Sequence, residues 1–112
     1  MTKDDVLAQI GKELATGKWA VDEGNKGMAR VCARRAAGIA VSFWLQTHPQ
    51  VGWGVDAMSQ LRSLQREHSI PQSVRDAALR LTTKITEQFT APFTTDPLDD
   101  SNLIIHYLMD LT

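Results

Sequence analysis

The stretch GMARVCARRAAGIAVSFWL, Gly27 to Leu45, decides the fold. From Ala36 to Leu45 its only polar residue is Ser42. A helix formed here is apolar on every side, which is the pattern of a helix surrounded by other helices. The run is about ten residues long and a bilayer crossing needs about 20, so its natural environment is a protein core. Ala36, Ala37, Gly38 and Ala40 are short enough to let neighbouring helices come close. Glycine inside a helix costs about 1 kcal/mol relative to alanine, so Gly38 is expected to lie against another helix. The apolar surplus and the small residues together predict a tight homodimer.

On the N-terminal side, Val6, Leu7, Ile10, Leu14 and Val21 recur at helical spacing, and Thr2 followed by Asp5 has the form of a helix start. One helix from Thr2 to Glu23 is expected, with Gly17 as its weak point. Gly24, Asn25 and Gly27 make a short connection, after which the central helix, Lys26 to Thr47, returns antiparallel as an αα-hairpin. On the C-terminal side, HPQVGWGVD (residues 48–56) has no period and reads as a loop, with Trp53 between two glycines as a residue that faces a partner. Val55, Met58, Leu61 and Leu64 give a short third helix, closed before Pro71. Val74, Ala78, Leu81, Ile85 and Phe89 give a fourth, residues 90–95 a loop, and Asp96-Pro97 the start of a fifth carrying Leu98, Leu103, Ile104, Leu108 and Leu111. No segment alternates with period two. The expected architecture is a single all-α domain, residues 1–112, an antiparallel bundle of five helices.

The composition is ordinary for a globular domain, with 43% hydrophobic and 22% charged residues. A net charge of -1 supplies no global attraction to nucleic acid, so basic function has to come from local clustering. The one cysteine, Cys32, has no internal disulfide partner and sits in the apolar helix, which reads as a buried reduced thiol. The N-terminal MTKDDVLAQI carries acids where a signal peptide needs an apolar centre, so the expected location is cytoplasmic, with no membrane span.

Lys26, Arg30 and Arg34 step by four along one helix face and are the candidate ligand-binding residues, able to meet phosphates. Their alternative role is to pair with Asp22, Glu23, Asp96, Asp99 or Asp100 and fix the bundle. His48, His68 and His106 fall in three segments without metal-ligand spacing, so neither a metal nor a cofactor is expected. No nucleophile elbow, phosphate loop or zinc-protease motif is present.

The order of elements resembles the HEPN family, helical bundles named for higher eukaryotes and prokaryotes nucleotide-binding. The resemblance rests on a first helix ending in a glycine turn, the ARVCARRAAGIA helix, a proline and glycine loop, the VDAMSQLRSL helix, and two further helices. It implies a dimeric bundle that either assists a nucleotidyltransferase partner or binds nucleotides or nucleic acid. Toxin members of the family cleave RNA with an arginine followed a few residues later by a histidine, and Arg62 and His68 match that order. Here Ser63 and Leu64 follow the arginine where the toxins carry a polar residue such as asparagine, and His68 closes a short helix just before Pro71. The leading expectation is therefore a non-catalytic binding or assembly module. The alternatives are a metal-independent ribonuclease using Arg62 and His68, and a structural interaction protein without ligand.

Overall fold

A computed structural model describes residues 1–85 and 95–111. In order they form α1 (Lys3–Asp22), α2 (Lys26–Thr47), α3 (Ala57–Arg66), α4 (Gln72–Thr82) and α5 (Pro97–Asp110), and no strand occurs among the described residues. The protein is an all-α bundle. Its helix starts are set locally. Thr2 Oγ1 accepts from the Asp5 amide and Asp5 Oδ2 from the Thr2 amide, both at 3.1 Å, a reciprocal box that satisfies two otherwise orphaned donors. The side chains of Asn25, Asp56 and Asp96 accept from the amides of Met28, Ser59 and Leu98 and start α2, α3 and α5 in the same way. Gly24, at φ +76°, turns the chain between α1 and α2, a backbone region that favours glycine.

Helix α2 touches each of the other helices and packs most extensively on α1 and α5. Ala33, Ala36, Ala37 and Ala40 are fully buried. Their neighbours are the chain's own helices, so the small residues expected to admit a second copy are spent on internal packing. A Cβ at Gly38 would lie 2.7 Å from the Ala57 Cβ, which places α3 directly against α2 at that point. A Cβ at Gly17 would lie 2.8 Å from the Leu98 side chain and 3.2 Å from the Cys32 Cβ. The helix accordingly runs through Gly17 without a break, because close packing offsets the glycine's cost. On the α5 side, the fully buried Ser101 hydroxyl donates to the Ala33 carbonyl at 2.7 Å.

Two expectations need correction. Helix α4 ends at Thr82, with Thr83 extended (ψ 133°), so Ile85 lies beyond the helix; the stretch expected to reach Phe89 otherwise falls outside the described residues, as does most of the following loop. Trp53 does not face outward. It is 8% exposed and packs on Trp44 with ring centroids 5.5 Å apart. Positive φ angles at Gly52 and Gly54 fold the loop back, and the buried Gln60 donates to the Gly54 carbonyl at 3.4 Å and holds it there. Trp44 also stacks on His48 at 4.9 Å, so the loop closes over an aromatic cluster. The tryptophan that stands in solvent is Trp19, 61% exposed.

Candidate functional site

A groove of about 720 Å³ opens where the start of α2 meets α3, the end of α4 and the start of α5. It brings together the three cations expected to share a face, Lys26, Arg30 and Arg34, and adds Arg62 from α3 and Lys84 from beyond α4. Among the described residues that line it, Asp96 is the only carboxylate, and its Oδ1 is engaged in capping α5. Met58, Ile85, Ala29 and Pro97 give the groove apolar surface between the charges.

The cations divide by what their donors meet. Arg30 is 8% exposed; its guanidinium donates to the carbonyls of Arg80 and of Thr83, the latter at 2.7 Å. Arg34 Nε donates to the Leu81 carbonyl at 2.7 Å. These carbonyls close α4, where the last turn leaves acceptors without helical partners and the macrodipole is negative. The two arginines therefore dock the end of α4 onto α2. Burial pushes the Arg30 guanidinium below its ordinary pKa, Arg34 nearby adds to the depression, and Asp100 opposes it. Burial lowers Arg34 too. Both stay charged, and the like charges crowd one wall of the groove. Arg80 supplies a carbonyl to Arg30 and turns its own guanidinium to the buried Asp100, at 2.8 and 3.0 Å to one oxygen. That contact raises the Arg80 pKa. Thus Asp100, one of the acids named as a partner for the α2 cluster, binds Arg80 of α4.

Lys26, Arg62 and Lys84 are exposed at the rim. Lys84 is absent from the expected site because the hydrophobic spacing carries α4 past it, whereas the helix stops before it. Arg62 was identifiable only as a member of the arginine and histidine pair. The structure separates that pair: Arg62 lines the groove, while His68 lies past the end of α3, where Arg75 Nη1 approaches its Nδ1 at 3.2 Å. A guanidinium can only donate, so this ring nitrogen is the acceptor. Among the described residues no three His, Cys, Asp or Glu side chains gather in a way that could hold a metal ion. No helix of the described residues is long and apolar enough to cross a membrane.

Comparison with known proteins adds nothing to this geometry: no family model, no curated protein and no solved structure matches the chain.

Proposed function

We propose that this chain is a non-catalytic, HEPN-like binding module, acting as a homodimer, whose groove takes a phosphate-bearing ligand: a nucleotide or a short single strand presented to, or by, a nucleotidyltransferase partner. One observation carries the reading, the convergence of Lys26, Arg30, Arg34, Arg62 and Lys84 on one groove that holds a single capping carboxylate among its described lining. A volume of about 720 Å³ suits a small ligand, since such sites run from about 300 to 1,000 Å³. The apolar patches at Met58 and Ile85 offer a surface for a base or sugar beside the phosphate. Arg30 and Arg34 contribute long-range charge while holding α4; the exposed Lys26, Arg62 and Lys84 make the direct contacts.

Fluorescence polarisation of a labelled single-stranded RNA in EDTA, with ATP and inorganic tripolyphosphate as competitors, tests this. Binding should be weak and steepest at low salt, with a log-log salt slope of about -0.7 for each phosphate neutralised. Arg62→Ala and Lys84→Ala should each weaken it and flatten that slope, and His68→Ala should leave it unchanged. An absence of binding to all three anions at low salt would leave the structural interaction protein as the better reading. RNA shortened by the parent and spared by His68→Ala would establish the ribonuclease instead.

A further inference from the structure

The groove described above occupies one flank of α2; a second, shallower one of about 450 Å³ lies on another flank, between α1, α2 and the start of α3, where Ala57 and Gln60 form one wall. The structure leaves this surface with apolar side chains that nothing among the described residues covers. Val55 is 93% exposed and Met1 71% exposed at the groove, and Ile39 and Phe43, one turn apart on α2, are only half-buried. Two opposite charges lie among them, Glu13 on α1 and Arg35 on α2, and neither forms an ion pair among the described residues, where the one such pair is Arg80 with Asp100. Elsewhere α2 packs on α1, α3, α4 and α5.

We propose that this hairpin face is the self-association surface, occupied by a second copy of the same chain related by a twofold axis running along the hairpin. The inference rests on the homodimeric reading given above and names the face that carries it. The geometry follows from the turn. The hairpin reverses at Gly24, so residues equally far from it in sequence lie level on the two helices, Glu13 with Arg35 and Gln9 with Ile39. An axis parallel to the helices and lying between them sets each α1 across from its partner's α2 at the same level. Every Glu13 then meets an Arg35 of the other copy, twice per dimer, and Ile39 meets Gln9, while the Met1 end meets Phe43. A self-complementary pattern of this kind is what an isologous interface demands, because one patch must satisfy itself. The area suffices as well. Two helices of this length, about 30 Å each and roughly 10 Å wide, offer a footprint of about 600 Å² per copy, which matches the lower limit of about 1,200 Å² in total for a specific dimer.

Sedimentation equilibrium of the full chain from 1 to 100 μM, with far-UV circular dichroism to verify folding, tests the assignment. Dimer is expected for the parent. Glu13→Arg and Arg35→Glu should each raise the dissociation constant about thirtyfold or more, because either brings like charges together at two symmetric points. The double variant E13R/R35E should return to within about threefold of the parent, which a merely structural role for either residue would not produce. A monomeric parent across the range overturns both the face and the homodimer. A dimer insensitive to either single change, or not restored by the exchange, overturns the face alone and leaves the homodimer standing.

Discussion

Arg30 and Arg62 line the same groove with the same charge, and their surroundings assign them opposite work. Arg30, on the inner wall, is buried and its donors meet the closing carbonyls of α4; Arg62, at the rim, is exposed. The difference teaches that a cluster of cations is not one feature. A guanidinium that answers backbone acceptors is part of the scaffold, and removing it strands those acceptors. One that stands in water is held in place by little and is available to a ligand.

The largest expected effect tests this contrast directly. Arg30→Ala removes charge-assisted hydrogen bonds from partly buried carbonyls and should lower stability by about 3 kcal/mol, whereas Arg62→Ala should change it by less than about 0.5 kcal/mol. Urea unfolding of the two variants decides it, and equal midpoints would erase the distinction between inner wall and rim. A smaller effect is expected one step back from the wall. Asp100→Asn weakens the grip on Arg80, whose carbonyl receives Arg30, and should cost about 1 kcal/mol, moderated because the Arg80 side chain is 25% exposed. An unchanged midpoint would show that the α4 end is held by α2 alone.

The smallest effect concerns an acid on the exposed side of the comparison. The Ser59 amide bonds Asp56 at the start of α3 and holds its carboxyl below the ordinary range. A depressed folded-state pKa stabilises the protein at pH values above the unfolded value and loses that contribution as pH falls through the folded value, so the loss develops below about pH 4. Asparagine caps a helix about as well without titrating. Asp56→Asn should therefore match the parent in Tm near neutrality and show a shallower decline on acidification. A decline as steep as the parent's would place the acid sensitivity in other carboxylates.

The helices were legible because their signals are local: the all-apolar run of α2, the Thr2 and Asp5 box, and the Asp96-Pro97 start. Gly38 was legible for a different reason, since a glycine retained inside a helix points to a close neighbour, here Ala57. The end of α4 was not, because Ile85 continues the hydrophobic spacing after the helical backbone has stopped at Thr82. Trp53 was misplaced because burial in an irregular loop leaves no period; the Gly52 and Gly54 backbone angles that fold it inward have no counterpart in hydrophobic pattern. The candidate site divides in the same way. The row Lys26, Arg30, Arg34 followed from helical spacing. The division of labour within it did not, because the acceptors that claim Arg30 and Arg34 are main-chain carbonyls of a helix distant in sequence, and every residue type carries one.

The placement of the three tryptophans supplies the molecule with its own optical reporters. Trp44 and Trp53, sealed together beneath the loop, should emit at short wavelength and resist acrylamide, while Trp19 should emit at longer wavelength and be quenched readily. The quenchable fraction of the emission thus samples the solvent-facing side of α1, and the protected fraction samples the core, in one unlabelled spectrum.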